Sequence, residues 1–282
     1  MAIDKVTILF RSDLKSEAEL AAAERHFDVV NSRVNLKDSL VIGRYSVLPF
    51  YPELERDLIL QGSRLINSYK QHKYVADFEY YEDIHDLTPK TYFDFSEIND
   101  KDAPFIVKGK TNSRKFDWDK LMFAPTKRRA VEIACDLKCD SLLYQQDIIV
   151  RKFEKLNIIE TGLHGMPMAN EWRFFCLENK ILSYGFYWSI AERRGVLEDE
   201  AIELVVEVMK RVKDKINFFV IDVAEKEDGS WIVIEMNDGQ MSGLSDNDPD
   251  VLYFTLMQEM KKLKSIDLIN DLILSDQTKK GA

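Results

Sequence analysis

The feature that most constrains this chain is a pair of strongly apolar segments, residues 218–223 and 231–237, joined by a short polar turn. Both segments are rich in β-branched and aromatic residues, which are typical of strands. The turn contains Asp228-Gly229, and Asp-Gly between two such segments predicts a β-hairpin because glycine accepts the positive φ that the turn needs. If these two residues form the centre of the turn, counting outward along both strands places Asp222 opposite Glu235.

That pairing brings two carboxylates together in an apolar hairpin. Directly opposed side chains have Cβ atoms about 4.5 to 5.5 Å apart, and like charges there destabilise a sheet, so a cation is expected between them. Asn237 lies two residues beyond Glu235 and projects from the same face. Because magnesium favours one or two carboxylates with water and phosphates, we predict that Asp222, Glu235 and Asn237 bind magnesium beside a nucleotide. Alternatively, the two acids mark the solvent-exposed ends of an ordinary hairpin.

Two other segments have residues suited to binding that nucleotide. Lys108 ends an apolar strand at residues 105–107 and leads into a polar loop containing Lys110, and such a loop can close over phosphates. Residues 142–149 form an apolar segment that turns polar, and its backbone, with Gln146 and Asp147, can bind the edge of an adenine ring. A solvated loop and an ordinary edge strand are the respective alternatives.

Arginines follow or interrupt the apolar segments farther along the chain. The segment that begins at residue 171 alternates, so Glu171 and Arg173 share one face of a predicted strand while Trp172 and Phe174 share the other. Arg173, and Arg194 in the loop after Trp188, can stabilise a transferring phosphoryl group or bind a carboxylate through two contacts. A surface salt bridge is the alternative for each arginine.

Two loops are predicted to contact a substrate. Arg44 and Tyr45 follow a strand of the N-terminal region, where an α/β domain presents ligand contacts. Asp238 and Ser242 lie in the glycine-containing polar loop that follows Asn237.

The order of the segments predicts two domains. Strands and helices alternate over residues 1–100, which is the pattern of a small α/β domain with a parallel sheet. After a polar, irregular stretch, residues 101–276 have the mixed pattern of an α+β domain with an antiparallel sheet. Residues 277–282 are predicted to be a flexible tail.

Composition restricts the partners and the location. A formal net charge of −10 disfavours binding to nucleic acid or to an anionic membrane. Three cysteines are too few and too unevenly placed for a disulfide framework. The sequence shows neither the pattern of a secretory signal nor an apolar segment long enough to span a bilayer, so we expect a cytoplasmic protein.

Over residues 105–243 these pieces, in this order, resemble the ATP-grasp superfamily. The most specific match is Asp222 followed by Glu235 and Asn237, which is similar to the metal motif of the D-alanine ligases. The resemblance implies an ATP-grasp fold preceded by an α/β domain, with ATP and two magnesium ions bound. Lys108 would contact the phosphates and Glu171 the ribose, and the adenine hinge would be the segment Gln146, Asp147, Ile148 and Ile149.

The resemblance also implies a reaction. ATP-grasp enzymes generally phosphorylate a carboxylate with ATP, and an amine then attacks the acyl phosphate to give an amide, ADP and phosphate. Small-molecule or peptide carboxylates and amines are the implied substrates, and Lys108, Arg173 and Arg194 the implied catalytic residues. The same site would also suit phosphoryl transfer to a hydroxyl, ligation of a nucleic acid or protein end, or nucleotide binding without catalysis.

The sequence departs from the usual family pattern at two places on the acceptor side. The loop after the metal asparagine generally contains Pro-Gly, whereas this chain has Asp238-Gly239-Gln240-Met241-Ser242-Gly243. Phe218 and Phe219 occupy the region before the first metal acid, where an arginine is common. These differences leave the identity of the acceptor substrate undetermined. With them, the sequence resembles a divergent branch of the superfamily that has members in phages and bacteria.

Overall fold

The computed structural model describes residues 5–11, 17–141, 143 and 146–262 of the 282-residue chain. The described residues form two compact units, one up to Ile66 and from Asn247 onward, the other comprising Asn67–Asp246. The second unit thus includes residues 67–100, which the sequence analysis assigned to the N-terminal domain. As a division of function, the boundary near residue 100 stays a prediction, and the tail at residues 277–282 lies outside the described residues.

The first unit is an α/β layer with a parallel sheet, as its alternating pattern predicted. Its strands are β1 (Lys5–Phe10), β2 (Asp28–Val30), β3 (Ser39–Arg44) and β4 (Arg64–Leu65), and its helices are α1 (Glu17–His26), α2 (Tyr51–Ile59) and the helix at residues 249–262. The strands lie in the order β2-β1-β3-β4, and every pairing is parallel. Ile8, Val41 and Ile42 are fully buried within it.

The second unit begins with two short helices, α3 (Tyr69–Ala76) and α4 (Tyr81–Ile84), and then forms a first antiparallel sheet. This sheet has the order β5-β8-β6-β7 and comprises β5 (Thr91–Tyr92), β6 (Phe105–Gly109), β7 (Phe123–Ala124) and β8 (Ile148–Lys152). Helix α5 (Lys127–Lys138) is capped at its N-terminus by Thr126, whose side chain accepts a hydrogen bond from the Arg129 amide. Its apolar face packs with Phe105 and Val107, so the alternate residues of β6, including Lys108, belong to the other face of the sheet.

The second antiparallel sheet of this unit has the order β12-β11-β13-β14. Its strands are β11 (Glu171–Leu177), β12 (Lys180–Phe186), β13 (Phe218–Glu225) and β14 (Trp231–Asp238), with a small hairpin of β9 (Ile158–Thr161) and β10 (Pro167–Ala169) before them. Helix α6 (Asp199–Arg211) covers one face, where Val205 packs in a cluster with Phe174 and Ile221. The opposite face contains Arg173, Asp222 and Glu235, because side chains alternate along each strand.

Two of the exclusions drawn from composition have structural counterparts. No helix within the described ranges is both long and apolar enough to cross a membrane. Cys135, Cys139 and Cys176 are free thiols, the first two exposed and the third buried.

Candidate nucleotide and metal site

The hairpin of β13 and β14 pairs Asp222 with Glu235, as the sequence predicted, although by a different route. The turn is a three-residue loop closed between Lys226 and Ser230, with Gly229 at φ +83°, so the register near the turn is shifted by one residue. A β-bulge between Asp222 and Val223 on one strand, with Ile234 as the extra residue on the other, removes that shift. The two carboxylates therefore lie opposite each other.

Asp222 is fully buried and forms an ion pair with Arg173 on the neighbouring strand. The Arg173 guanidinium donates two hydrogen bonds to the Asp222 carboxylate, at 2.8 Å and 2.7 Å. Its third nitrogen donates to the carbonyl of Gly243 at 2.9 Å. Such bidentate, charge-assisted pairs are the stronger class of hydrogen bond, so Arg173 is held rigidly against the predicted metal residue.

Glu235 forms the second ion pair of the site, with the ammonium of Lys108. Burial alone would raise the pKa of Glu235, but the positive charges of Lys108, Lys115 and Arg173 lower it to about 2. Glu235 is therefore ionised at neutral pH. Asn237 lies two residues farther along β14, opposite Val220, and presents its amide on the same face.

A cleft lies between the two sheets of the second unit and includes both charged and apolar residues. About 940 Å³ of space free of protein atoms lies within it, part of it open to solvent. Ionisable residues on its wall include Lys108, Lys115, Arg151, Glu171 and Glu235, and apolar residues include Trp118, Met122, Phe153, Leu156, Met166 and Trp188. The arrangement suits a ligand with a planar apolar part and an anionic part.

Two cations of the cleft were not singled out by the sequence analysis. Arg151 on β8 is buried and donates hydrogen bonds to the Ile234 carbonyl and, at 2.7 Å, to the Thr88 hydroxyl. Lys115 donates a hydrogen bond to the Tyr187 hydroxyl. A lysine within a basic cluster and an arginine in an apolar strand are both ordinary in sequence, so neither gave a signal that the sequence analysis could use.

Glu171 lies on the wall of the same cleft, next to the charged pairs. Burial raises the pKa of its carboxyl to about 8, and the negative charges of Asp222 and Glu235 add to this effect, while Lys115 and Arg173 oppose it. Glu171 is thus mostly protonated at neutral pH. A protonated carboxyl can donate as well as accept a hydrogen bond, which is compatible with the predicted contact to a ribose.

The four residues of the predicted adenine hinge are described, and its two polar residues contact the loop that follows β6. The Gln146 side-chain oxygen accepts hydrogen bonds from the amides of Thr111 and Asn112, both at 3.2 Å, and Lys110 pairs with Asp147 at 2.8 Å. Residues 142, 144 and 145 lie outside the described residues. Gln146, Asp147, Ile148 and Ile149 line a second depression, whereas residues 152–154 and 156 line the cleft. The adenine role of the hinge remains a prediction.

Three other predicted residues of this unit have internal partners. Arg194 pairs with Asp246 at 2.8 Å and lies over the ring of Phe186. Asp238 is buried, accepts a hydrogen bond from Asn67 at 2.8 Å and lies 3.2 Å from His72 Nδ1. The Ser242 hydroxyl donates to the Asp238 carbonyl at 2.8 Å. These contacts hold the loop after β14 in place.

In the first unit, Arg44 and Tyr45 differ in their surroundings. Arg44 is buried and pairs with Glu19, with distances of 2.8 Å and 2.6 Å, and Glu19 also accepts a hydrogen bond from Tyr253 at 2.9 Å. Tyr45 is partly exposed, and the guanidinium of Arg11 lies 4.7 Å from its ring centroid. Of the two, Tyr45 is therefore the more accessible.

The donor atoms of the site are compatible with magnesium. Within the described parts of the chain, no group of three or more His, Cys, Asp and Glu residues is placed to hold a metal. The set here is two opposed carboxylates and one amide, and magnesium commonly takes such a small protein set and completes its octahedron with water and phosphates. Asp222, Glu235 and Asn237 thus fit a magnesium ion that arrives with a phosphate ligand.

Comparison with known proteins places the chain among the ATP-grasp proteins, which confirms the resemblance drawn from sequence. It belongs to a family of ATP-grasp domains that is described as family 3 of its clade, and the family model matches residues 97–256. None of the curated protein sequences matches the chain.

Solved structures of ATP-grasp proteins share this fold. D-cycloserine synthetase DcsG has a TM-score of 0.57 at 13% identity, covering 90% of this chain and 98% of its own. The ATP-grasp ligase PsnB complexed with a minimal precursor has a TM-score of 0.55 at 12% identity, covering 90% and 98%. The D-alanine–D-alanine ligase from Bacillus anthracis complexed with ATP has a TM-score of 0.54 at 13% identity, covering 94% and 98%. At these identities the likeness concerns the fold.

Proposed function

We propose that this protein is an ATP- and magnesium-dependent carboxylate–amine ligase that releases ADP and acts through an acyl phosphate. The observation that supports this most directly is the pairing of Asp222 with Glu235, next to Lys108 and Arg173, on a cleft with charged and apolar walls. Membership of an ATP-grasp family supports the ATP dependence. The similar structures include proteins described as ligases or a synthetase, which supports bond formation coupled to ATP.

In this proposal the nucleotide lies in the cleft. The base would pack against apolar residues such as Phe153 and Met166, while Glu171 would bind the ribose. Lys108, Arg151 and Lys115 would bind the phosphate oxygens, because all three are cations on the cleft wall. Lys110 and the predicted hinge residues would act mainly by fixing the loop at residues 110–113.

Asp222, Glu235 and Asn237 would hold two magnesium ions against the phosphates. The chemistry that magnesium supplies is neutralisation of phosphate charge, so that a carboxylate can approach the γ-phosphorus. The role of the chain's own residues is to fix the positions of these groups. Arg173 contributes by orienting Asp222 through two hydrogen bonds and by placing a second positive charge near the transferring group.

The proposed reaction has two steps. A carboxylate oxygen of the first substrate bonds to the γ-phosphorus as the bond to the ADP oxygen breaks. The nitrogen of the amine substrate then bonds to the acyl carbon, inorganic phosphate leaves, and the nitrogen loses a proton. Arrangement of the reactants by the site would supply most of the rate, since neither step requires a protein nucleophile.

The acceptors proposed are small-molecule or peptide carboxylates and amines, with nucleic acid disfavoured by the net charge of −10. Tyr45, Arg44, Asp238, Ser242 and Arg194 remain proposed contacts on the acceptor side. The internal partners of Arg44 and Asp238 favour a supporting role, in which they position a loop, over direct contact with a substrate. A cytoplasmic location is part of the same proposal.

The test is release of ADP from ATP in the presence of pooled amino acids and short peptides, with mass analysis of the products. The proposal expects ADP, phosphate and an amide product, all lost in Glu235→Gln. ADP with a phosphorylated hydroxyl would instead indicate a phosphotransferase, and ADP with joined nucleic acid or protein ends would indicate an end ligase. Nucleotide binding without turnover on any acceptor would indicate a non-catalytic module.

A further inference from the structure

The charged residues of the site are paired with one another. Each carboxylate predicted to bind metal contacts a cation: Asp222 contacts Arg173, and Glu235 contacts Lys108. These side chains are largely buried, with Lys108 only 6% exposed and Asp222 fully enclosed. The carboxylates that would bind magnesium and the cations that would lie near the phosphates are therefore in contact with each other.

This arrangement opposes each ligand when that ligand is alone. A metal ion approaching Glu235 meets the ammonium of Lys108, and like charges in a poorly solvated site repel strongly. A phosphate approaching Lys108 meets the carboxylate of Glu235 in the same way. In either case one member of a buried ion pair would be left without a partner, which is costly.

The two ion pairs differ in how readily they can open. Arg173 is fixed by two hydrogen bonds to Asp222 and a third to the Gly243 carbonyl. Lys108 makes one hydrogen bond to Glu235, lies on the wall of the cleft, and has a flexible four-carbon stem. The Lys108–Glu235 pair is thus the one that can exchange its partners when ligands bind.

We propose that the Lys108–Glu235 ion pair makes metal and nucleotide binding mutually dependent, so that each ligand binds weakly alone and both bind tightly together. When both are present, the pair is exchanged for a metal–carboxylate contact and a phosphate–ammonium contact, and no charge is left unpaired. This inference rests on the proposed function, because it requires the metal and the nucleotide to occupy this site. By linkage, the factor by which metal strengthens nucleotide binding equals the factor by which nucleotide strengthens metal binding.

The first test removes the ammonium and measures metal binding without nucleotide. Mn²⁺ serves as the probe, because its free form is detected by electron paramagnetic resonance. We expect Lys108→Met to bind Mn²⁺ alone at least about 10-fold more tightly than the native protein, within the range typical of coupled sites. An unchanged or weaker Mn²⁺ affinity in a folded Lys108→Met variant would overturn the proposal.

The second test is the mirror of the first. Glu235→Gln removes the negative charge while keeping the shape, and ATP binding is measured by calorimetry in EDTA. We expect metal-free ATP to bind this variant at least about 10-fold more tightly than the native protein, although magnesium no longer strengthens the binding. Equal or weaker metal-free binding would contradict the mutual dependence, and this test stands even if Lys108→Met does not fold.

A matched control is Lys90→Met, since Lys90 pairs with Asp102 at 2.8 Å and does not line the cleft. It should leave Mn²⁺ binding and ATP binding unchanged. The native protein separates the two proposals. If it binds ATP with magnesium but a folded Lys108→Met or Glu235→Gln variant lacks the expected gain, the mutual dependence fails while the proposed function stands. If it binds no ATP with magnesium, the proposed function itself fails.

Discussion

The ion pair of Arg173 and Asp222 predicts that removing both partners destabilises the protein less than removing either one. Replacing Arg173 by Met leaves a fully enclosed carboxylate without its two hydrogen bonds of 2.8 Å and 2.7 Å. Replacing Asp222 by Leu leaves a largely buried guanidinium. Removing one partner of a buried pair generally costs about 3 to 5 kcal/mol, so each single variant should lose that much free energy of unfolding.

The double variant should be more stable than either single variant. Replacing both partners by apolar residues removes the unpaired charge, and such replacements are often neutral. The Gly243 carbonyl still loses its donor from Arg173, a contribution of about 1 kcal/mol. We therefore expect the double variant to lie within about 1 to 2 kcal/mol of the native protein.

Urea unfolding followed by tryptophan fluorescence can measure this, because all four tryptophans lie in the second unit, which contains the site. The double variant should also lose ATP binding in the presence of magnesium, which separates stability from function. Two results would refute the reasoning: single variants that cost less than about 1 kcal/mol, or a double variant whose loss equals the sum of the two single losses.

Three further predictions concern other parts of the second unit. The pKa of Glu171 is about 8 in the folded protein, against about 4.3 in the unfolded chain. Between these two values the folded state binds one proton more than the unfolded state. The free energy of unfolding should therefore fall by up to about 1.4 kcal/mol per pH unit as pH rises from about 5 to about 8. Glu171→Gln should abolish that slope in urea titrations, and an unchanged slope would exclude this carboxyl as its source. Gly229→Ala should cost about 1 to 2 kcal/mol in the same urea assay, since φ is +83°, and a cost near zero would mean that the turn adopts another form. Gln146→Leu should increase hydrogen exchange at the Thr111 and Asn112 amides, whose acceptor it removes, and unchanged protection would show that other contacts hold the loop.

The register of the β13–β14 hairpin was only partly predictable from the sequence. Pairing of Asp222 with Glu235 followed from the turn signal and the period of a strand, and the structure confirms it. The route to that pairing was wrong in detail, because neither the three-residue loop nor the bulge at Ile234 is written in the apolar pattern. A shift of one residue at the turn and an opposite shift at the bulge cancel, and only the geometry of the paired backbones reveals both.

The charges around the carboxylates were harder to predict. A cation between Asp222 and Glu235 was expected from their repulsion, and in the structure the side chains of Arg173 and Lys108 supply the positive charge. Arg173 could be placed on its strand face by alternation, whereas its pairing across strands required the register of β11 against β13. Arg151 and Lys115 enter the cleft only through tertiary contacts between the two sheets, which no local pattern encodes.

The hinge illustrates a different limit. The polar residues Gln146 and Asp147 precede β8, whereas the residues that line the cleft lie at its C-terminal end and just beyond it. A strand flanked by polar residues at both ends gives no local sign of which end faces a ligand. The same applies to Arg44, since a residue after a parallel strand can equally support the domain through a buried ion pair, as with Glu19.

Calorimetry can measure whether this cleft binds ATP with magnesium through the β13–β14 carboxylates. ATP is titrated into the native chain with magnesium, and the same titration is made with Glu235→Ala. We expect the native protein to bind ATP more tightly when magnesium is present. We expect magnesium to have no such effect on ATP binding by the Glu235→Ala variant. If the folded native protein binds no nucleotide at millimolar ATP with magnesium, or if magnesium strengthens binding equally in the variant, the claim is contradicted.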